Sequence, residues 1–324
     1  MGFFRDAASE VDEVMRADLA LVENELLGEV LSYGIFNGGK RIRPQLTMLC
    51  WALTDKDSGA GRDQALQLAI VFEYLHAASL LHDDVIDNAE QRRGKPSANV
   101  VWGISPVILA GDYLHSRAMT LAGKHGGRQA MALAGHATAA MVESEFLQMQ
   151  SVGERNLSEE NYYKVVAGKT GALIAAACET GVLLANGSSE KRKAIRLYGE
   201  NIGLAFQIVD DLLDYQGDPG RTGKAVGNDL VEGKMTLPLI HAFLKASAGD
   251  RKTLTEILAA PPEERLGRFG EARGLIEKYD GFAYARQRAL EVIGAGSGAL
   301  DSFAAGRERE ILVGLADYVL SRDK

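Results

Sequence analysis

The chain has 324 residues, of which 46% are hydrophobic and 25% are charged, and its formal net charge is −8. This composition is typical of a globular protein with one large domain or two ordinary ones. The negative charge argues against a nucleic-acid-binding protein, which normally presents a basic face. The two cysteines, Cys50 and Cys178, lack metal-ligand spacing, which argues against a zinc site or a disulfide framework and fits a reducing compartment.

The sequence predicts neither a targeting signal nor a membrane span. The first residues, MGFFRDAASE, lack the apolar core of a signal peptide. The longest apolar stretch, GALIAAACETGVLLA from Gly171, contains Glu179 and is too short to cross a bilayer. We therefore expect a cytoplasmic protein without a transmembrane segment.

In the first part of the chain, helical patterns follow one another with short connections. The apolar spacing predicts an amphipathic helix over 7–33, ended by the glycine-rich turn NGGK. Pro44 occupies the favoured first position of the next helix. The run DQALQLAIVFEYLHAASLLHDDVID then predicts a long, mostly apolar helix that stops near Gly94 and Pro96.

Further helices are predicted over about 104–123 and 128–151. Ser158, followed by two glutamates, is a good helix start, and the two glycines of AGKTG at 167–171 should kink or break that helix. Another helix is predicted over about 189–215, and shorter ones follow residue 245. Because the sequence contains no alternating strand pattern and no clear linker, we predict a single all-α domain over residues 1–324.

Two aspartate clusters with DDxxD spacing each follow an apolar helical run. They are Asp83, Asp84 and Asp87, and then Asp210, Asp211 and Asp214. Like charges one helical turn apart cost about 0.2–0.5 kcal/mol per pair even when exposed, and more on an apolar helix that lacks a neutralising cation. One cluster alone is equally well explained as a solvated helix end, but two are best explained if they face each other across a cavity.

The carboxylate clusters indicate a magnesium site. Magnesium prefers oxygen ligands, keeps several waters and usually binds through one or two carboxylates together with substrate phosphates. The sequence contains no histidine or cysteine set that would select a softer metal. We therefore predict a phosphate or diphosphate that magnesium bridges to the two clusters.

Basic residues accompany the clusters and the glycine-rich turn. Glycines let backbone amides approach an anion at a helix start, and arginine forks suit phosphate oxygens. Each basic residue alone is more often a solvated surface charge, but together they indicate a site for two diphosphates. They are Lys40, Arg41 and Arg43 in GGKRIRP, Arg92 and Arg93 in QRRG, and Lys224 and Lys234 in GKAVGNDLVEGK.

The ordered motifs resemble those of the trans-isoprenyl diphosphate synthases, or polyprenyl synthetases. The resemblance rests on GGKRIRP, HDDVID with QRRG, GKT, FQIVDDLLD and GKAVGNDLVEGKMTLP, within about residues 36–242. It implies an isoprenoid-synthase-type helical bundle around a deep central cavity, usually a homodimer, that joins prenyl units head to tail. The implied substrates are isopentenyl diphosphate and an allylic diphosphate such as farnesyl diphosphate, and the implied cofactor is Mg²⁺, as three ions with substrate bound.

The resemblance also implies roles for individual residues. The allylic diphosphate would bind through magnesium to both aspartate clusters, with Asp210 foremost in the second, and Arg92 would help to hold it. The residues implied for isopentenyl diphosphate are Lys40, Arg43, His76 and Arg93. Those implied for the allylic diphosphate or the developing carbocation are Lys169, Thr170, Gln207, Lys224 and Lys234.

The residues before Asp83 bear on product length. Members of this family that stop at short products tend to carry aromatic residues four or five positions before the first aspartate, where this chain has Ser79 and Ala78. Both are small, so the tunnel mouth would be open, and Leu75 and Phe72, about 12 and 16 Å from Asp83 along the helix, would set its floor. The pattern is most similar to bacterial octaprenyl-type synthases that make quinone side chains. We therefore expect a long product, octaprenyl first, released through a transient membrane contact.

Other interpretations remain open from the sequence. A short-chain farnesyl or geranylgeranyl diphosphate synthase would share the same motifs. A class I terpene cyclase also ionises prenyl diphosphates, but it usually lacks GGKRIRP and QRRG. A non-catalytic regulatory subunit commonly loses acidic motif residues, and all six are present here. The last alternative is a structural all-α protein with acidic helix ends at its surface.

Replacing Ala78 by a large ring tests the proposed tunnel wall. Ala78→Phe is expected to shorten the product, because the ring would block the tunnel mouth. The measurement is the product distribution from farnesyl diphosphate, isopentenyl diphosphate and magnesium, separated by chain length. A distribution identical to that of the wild type would show that Ala78 only packs closely against a neighbouring helix.

Overall fold

The described part of the chain, residues 2–55, 61–217 and 226–320 of a computed structural model, is almost entirely helical. The all-α prediction is confirmed. A π-helical turn (Ala167–Gly171) joins two of the helices, and a 3₁₀ turn (Leu300–Ser302) follows another. The helices are α1 (Gly2–Leu19), α2 (Glu25–Phe36), α3 (Ile42–Thr54), α4 (Arg62–Ile86), α5 (Ala98–Trp102), α6 (Ile104–Glu154), α7 (Glu159–Val166), α8 (Ala172–Leu184), α9 (Ser189–Gln216), α10 (Asn228–Glu232), α11 (Leu237–Lys245), α12 (Ala248–Ala259), α13 (Pro262–Gly267), α14 (Phe269–Lys278), α15 (Gly281–Ala299) and α16 (Arg307–Leu320).

The chain divides into two compact units, each assembled from separate segments. Unit 1 comprises Met1–Thr138, Leu173–Arg196 and Ser302–Arg309, and unit 2 comprises Ala139–Ala172, Leu197–Asp301 and Glu310–Lys324. Helices α6 and α9 each contribute one part to each unit. The expectation of a single domain stays a prediction.

Helix α4 is the core helix of unit 1. It is apolar on nearly all sides from Ala65 to Leu81, which is typical of a helix enclosed by others. Helices α1, α2, α3 and α5 pack against it, and Phe72 and Tyr74 are among the largest fully buried side chains. The first aspartate cluster therefore stands where a buried apolar helix ends.

Helix α8 packs closely on α3 within unit 1. A Cβ atom at Gly181 would overlap the carbonyl oxygen of Thr47, and the Thr47 hydroxyl donates to the carbonyl of Ala177 at 3.1 Å. Glu179, which interrupts the apolar run of α8, is buried and accepts from Arg192 at 2.8 Å. This ion pair offsets the cost of burying the carboxylate.

The core of unit 2 is formed by α9, α11 and α15. The ring of Tyr215 on α9 lies 5.9 Å from the rings of both Phe269 and Phe282, measured between centroids. The Tyr198 hydroxyl donates to the carbonyl oxygen of Leu312 at 2.7 Å, which ties α16 to α9. The part of α9 that carries the second aspartate cluster is thus held from several sides.

The prediction of one helix over 7–33 is wrong, because the chain breaks between α1 and α2. Asn24 caps the second helix, with its side chain accepting from the backbone N–H of Leu27 at 3.0 Å. An asparagine that can satisfy a free helical N–H favours a new helix start over continuation of the old helix. The two helices predicted over 104–123 and 128–151 form α6, with non-helical backbone at Gly127, where φ is 63°.

A small hairpin, formed by β1 (Gln91–Arg92) and β2 (Lys95–Pro96), was not predicted. Its two-residue loop, Arg93 and Gly94, has φ angles of 54° and 75°. Two successive positive φ values are the requirement of a type I′ hairpin turn. The strands are too short for an alternating pattern to reveal them.

Two helical stretches are long and apolar enough to cross a membrane by length and composition alone, Arg62–Ile86 and Glu159–Leu184. In their most apolar windows, 72% and 78% of the residues are buried inside the protein. The core helices of water-soluble folds pass the same test, so these stretches are weak evidence for a membrane span.

Candidate active site

The first aspartate cluster lies at the C-terminal end of α4. Asp83 is half-buried, Asp84 is buried and Asp87, just after the helix, is exposed. Arg92 of β1 donates from Nε to Asp84 Oδ1 at 2.6 Å and forms an ion pair with it. The hairpin thus brings the first arginine of QRRG to the aspartate motif, which offsets the cost of burying Asp84.

The hairpin turn directs the second arginine of QRRG to the NGGK turn. Nη1 of Arg93 donates to the carbonyl oxygen of Gly38 and, at 3.4 Å, to that of Asn37. A Cβ atom at Gly39 would lie 2.9 Å from Nη1 of Arg41 and 3.2 Å from Nη1 of Arg93. Two guanidinium groups therefore meet at a glycine. The two motifs form one region, called the cationic region below, which comprises Arg41, Arg43 and Arg93 together with His76.

Arg41 anchors this cationic region from inside. Its side chain is only 5% exposed and donates to Asp12 at 2.6 Å, to Glu73 at 3.0 Å and to the carbonyl oxygen of Ile35 at 2.9 Å. Removing one partner of such a buried pair typically costs about 3–5 kcal/mol. Arg41, which was predicted to bind phosphate together with its neighbours, thus has protein partners that account for its charge.

His76 and Arg43 complete the cationic region. Burial, followed by the charges of Arg43, Arg93, Arg92 and Arg41, holds the pKa of His76 well below its usual value. Burial lowers the pKa of Arg43, and its buried Nε atom has no hydrogen-bond partner within the described part of the chain. A neutral imidazole among guanidinium groups, one of them incompletely bonded, is an arrangement that an anion would stabilise.

Lys40 lies at the exposed edge of the same region. Its side chain is exposed, and its carbonyl oxygen accepts from Nε2 of the buried Gln45 at 2.7 Å. This hydrogen bond fixes the NGGK turn to the first turn of α3. The structure therefore brings together the four residues predicted for isopentenyl diphosphate, three inside the cationic region and Lys40 beside it.

The predicted chain-length residues lie on successive turns of α4. Phe72, Leu75 and Ala78 are buried, at 1%, 3% and 5% exposure. Ser79 is half-buried, and its hydroxyl donates to the carbonyl of His76 at 2.9 Å. Small side chains therefore stand on the turn before the aspartates and larger ones on the two turns before that, and the tunnel itself stays a prediction.

In unit 2, AGKTG forms a π-helical turn, in which the N–H of Ala172 bonds to the carbonyl of Ala167. A Cβ atom at Gly168 would lie 2.7 Å from the carbonyl oxygen of Ala140 and from Cβ of Ser144, so α6 approaches this turn closely. The helix irregularity predicted at the two glycines is present as a π turn. Such turns are frequent at functional sites.

Helix α9 approaches the π turn as well. A Cβ atom at Gly203 would lie 2.6 Å from Cα of Gly171. On this side the Thr170 hydroxyl donates to Oε1 of Gln207 at 3.1 Å. Lys169 bonds instead to α6, with Nζ 2.7 Å from Glu145 Oε2 and 3.4 Å from Gln148 Oε1.

Gln207 connects the π turn to the second aspartate cluster. Its Nε2 donates to Oδ1 of Asp211 at 2.9 Å, and the Tyr162 hydroxyl donates to Oδ2 of Asp211 at 2.7 Å. Burial, followed by repulsion from Asp229, raises the pKa of Asp211 well above its usual value. The carboxylate is thus held rigidly in surroundings that disfavour its negative charge.

Asp214 binds backbone rather than side chains. Its two oxygens accept from the N–H groups of Asn228 and Asp229, each at 3.1 Å. Burial, followed by the charge of Asp229, raises the pKa of Asp214 to about 6. Lys234 lies nearby, 2.5 Å from Glu232 and 3.4 Å from Asp229.

A solvent-open cavity in unit 2 brings several predicted residues to one surface. Its lining includes Lys169, Gln207, Asp211 and Lys234. Asp210, between the buried Val209 and Asp211, is half-buried. The predicted site residue Lys224 lies outside the described residues.

The donor atoms of both aspartate clusters fit a hard divalent cation. All are carboxylate oxygens, and among the residues that the structure describes no group of three or more His, Cys, Asp or Glu side chains forms a protein-only metal site. Magnesium characteristically completes its coordination with water and substrate phosphate. The clusters therefore fit a metal that is held jointly with a diphosphate.

Comparison with known proteins defines the class of this chain. Residues 24–270 match the polyprenyl synthetase family. The chain is 36% identical to the short chain isoprenyl diphosphate synthase of Methanothermobacter thermautotrophicus, over 100% of this chain and 98% of that protein. It is 33% identical to the octaprenyl diphosphate synthase of Escherichia coli, over 93% and 91%. Its structure matches that of a polyprenyl synthase from Caulobacter crescentus, complexed with calcium and isoprenyl diphosphate, with a TM-score of 0.90 at 33% identity, over 99% and 96%.

This protein belongs to the polyprenyl synthetase family. It is a prenyltransferase of isoprenoid biosynthesis, and its substrates are isoprenoid diphosphates. The resemblance seen in the motifs is confirmed. Family membership leaves product length open, because relatives of similar identity make short and octaprenyl products.

Several residues that shape the site were missed by sequence reasoning. Glu73 and Asp12 hold Arg41, and Glu145 and Gln148 hold Lys169. Each is an isolated polar residue on a helix, in no motif that carries chemistry. The one available signal was Glu73, a carboxylate within the apolar run of α4, since a buried charge needs a partner.

Substituting His76 tests whether its imidazole is neutral in the folded protein. Because its folded pKa lies below the unfolded value near 6.5, only the unfolded chain takes up this proton as the pH falls. Stability should therefore be fully present above about pH 6.5 and fall below it, by at most about 1.4 kcal/mol per pH unit. His76→Asn should remove this part of the slope in urea unfolding between pH 8 and 5. His136→Asn, at an exposed position on α6, is the control, and equal slopes in both variants would contradict a neutral His76.

Proposed function

We propose that this protein is a trans-polyprenyl diphosphate synthase that condenses isopentenyl diphosphate head to tail onto an allylic diphosphate, with farnesyl diphosphate as primer. This proposal rests on three residues of the cationic region, Arg43, His76 and Arg93. It offers a place for a diphosphate in addition to the one that the aspartates would hold through metal. A class I terpene cyclase binds one diphosphate and needs no such second region.

Isopentenyl diphosphate is proposed to bind in this region. Arg43 and Arg93 would supply fixed positive charge, and the buried Nε of Arg43 would gain the partner that it lacks. A neutral His76 can donate one hydrogen bond to a diphosphate oxygen. Lys40, exposed on the NGGK turn, would add charge from the solvent side.

The allylic diphosphate is proposed to bind with magnesium, as three ions, at the two aspartate clusters. Asp83 and Asp87 would be direct ligands in the first cluster, with Asp84 oriented by Arg92. Asp210 is proposed to be foremost in the second cluster, as the family resemblance implies, and Asp211 and Asp214 are each held by two hydrogen bonds. The bound metal would act as a Lewis acid on the leaving diphosphate. Basic residues proposed to offset the remaining charge are Arg92, Lys169, Lys224 and Lys234.

Thr170 and Gln207 are proposed to stabilise the developing allylic cation. Their hydrogen bond orients the hydroxyl and amide dipoles in advance, so that little reorganisation is needed when the carbon–oxygen bond breaks. The double bond of isopentenyl diphosphate then attacks the cation, and a proton leaves the new carbon–carbon adduct. No side chain in the described site is placed as a dedicated base, so we assign the final proton to the released diphosphate.

The product is proposed to be long, with octaprenyl first, and a short-chain synthase is the alternative. Ala78 and Ser79 are small side chains on the helical turn before the aspartates, whereas the larger Leu75 and Phe72 lie buried one and two turns earlier on α4. A hydrocarbon chain could therefore grow along α4 before it meets a large side chain.

We place the reaction in the cytoplasm, where two free, buried cysteines are stable. Product release is proposed to involve a transient membrane contact.

Product analysis tests the proposed reaction. Incubation with labelled isopentenyl diphosphate, farnesyl diphosphate and magnesium is expected to give all-trans polyprenyl diphosphates of about octaprenyl length. Asp83→Asn and Asp210→Asn are each expected to lower kcat by about a hundredfold or more, because charge stabilisation of the leaving group is lost. Turnover of farnesyl diphosphate alone would indicate a cyclase, and a product no longer than geranylgeranyl would indicate the short-chain alternative. Absence of turnover with full magnesium-dependent substrate binding would indicate a regulatory subunit.

A homodimer is proposed from an apolar stripe on α6, formed by Val142, Phe146 and Met149. These residues are 53%, 63% and 46% exposed, and their spacing of four and three residues places them on one side of the helix. That spacing is the seam of paired helices, and in a two-fold dimer the same stripe would pack against its own copy. A second copy of this chain is therefore the proposed partner of the stripe.

Introducing charge into the apolar stripe tests the dimer. Phe146→Glu is expected to convert the protein from dimer to monomer, because it would bury a carboxylate without a partner. Light scattering after size-exclusion chromatography measures the mass. Leu244→Glu, at another exposed position, is the matched control and should leave the mass unchanged. A wild-type protein that is monomeric at micromolar concentration would refute the proposal.

A further inference from the structure

Lys169 lines the unit 2 cavity and forms an ion pair with Glu145. The two charged groups lie 2.7 Å apart, and the side chains are 34% and 20% exposed, so the pair is partly shielded from water. Gln148, one helical turn after Glu145, accepts from the same ammonium group at 3.4 Å. Two acceptors on one helix thus determine the direction of a side chain that has four rotatable bonds.

The backbone around this pair is fixed by the π turn. Gly168 lies so close to Ser144 that an added Cβ would be 2.7 Å from the Ser144 Cβ atom. Since Glu145 follows Ser144 and Lys169 follows Gly168, this contact places the carboxylate beside the ammonium group. The ion pair is therefore a consequence of helix packing rather than a chance surface contact.

Lys169 and Glu145, the two partners of the ion pair, differ in their position relative to the cavity. Lys169, Gln148 and Gln207 line the cavity, whereas Glu145 is not among its lining residues. Glu145 is therefore placed to act on a ligand through its ion pair with Lys169. A carboxylate that faces the cavity without a bound metal would repel a diphosphate, whereas Glu145 can direct the ammonium group without lining the cavity.

We propose that Glu145 is a positioning residue for prenyl transfer, which holds the Lys169 ammonium in the direction needed to meet the allylic diphosphate. Gln148 supports the same direction with a second hydrogen bond. This inference rests on the role proposed for Lys169. Without Glu145 the lysine would sample several rotamers, and the binding free energy of the allylic diphosphate would have to cover the cost of ordering it.

Glu145→Gln tests this inference, because it keeps the size of the side chain and removes its charge. We expect kcat/KM for farnesyl diphosphate to fall roughly ten- to hundredfold, the range for loss of a charge-assisted hydrogen bond. KM for isopentenyl diphosphate and the melting temperature should stay at wild-type values. Glu143→Gln, an exposed position on the same helix, is the matched control and should match the wild type in all three measurements.

A double-mutant cycle separates positioning from a structural role. In the Lys169→Met background, Glu145→Gln should cause no further loss, because no ammonium group remains to be directed. The same four proteins can be compared by calorimetric binding of the thiolo analogue of farnesyl diphosphate with magnesium, which needs no turnover. Equal losses in both backgrounds, a fall in melting temperature with both substrates affected alike, or wild-type kinetics for Glu145→Gln would each overturn the inference. Full activity of Lys169→Met would instead refute the function proposed for Lys169.

Discussion

This structure depends on partners for the charged side chains that are buried among its helices. Each buried charge requires an opposite charge or several hydrogen bonds. Arg41 meets this requirement with two carboxylates and a carbonyl oxygen, and so ties α1, α2 and α4 to the NGGK turn. Asp84 meets it with Arg92. Among the described residues, the buried Nε of Arg43 has no hydrogen-bond partner, and in the proposed function an anionic substrate would supply one.

In unit 2 the buried charges that need partners are negative rather than positive. Burial raises the pKa values of Asp211, Asp214 and Asp229, and repulsion from Asp229 raises those of Asp211 and Asp214 further. Hydrogen bonds from Tyr162 and Gln207 hold Asp211 in place in spite of this cost. The protein thus maintains one region that is short of negative charge and another that is short of positive charge.

Sequence patterns predicted the helices well where apolar periodicity was long, and they located both aspartate clusters and the basic motifs. They failed at α1 and α2, where one asparagine cap outweighed continuous amphipathic spacing. They also missed the hairpin, because strands of two residues have no period. The glycines of AGKTG indicated an irregular helix, but its form depends on Ser144 and Gly203, which lie on other helices.

The order of charged motifs along the chain determined the family, the chemistry of the metal and the kind of substrate, because residue type and local spacing are written directly in the sequence. Only the folded structure decided which charges would be neutralised by protein and which would remain for a ligand. Arg41 and Arg43 stand two positions apart in one motif, yet Arg41 bonds two carboxylates, whereas Nε of Arg43 has no partner among the residues that the structure describes. That difference arises from long-range packing, since the partners Asp12 and Glu73 come from distant helices.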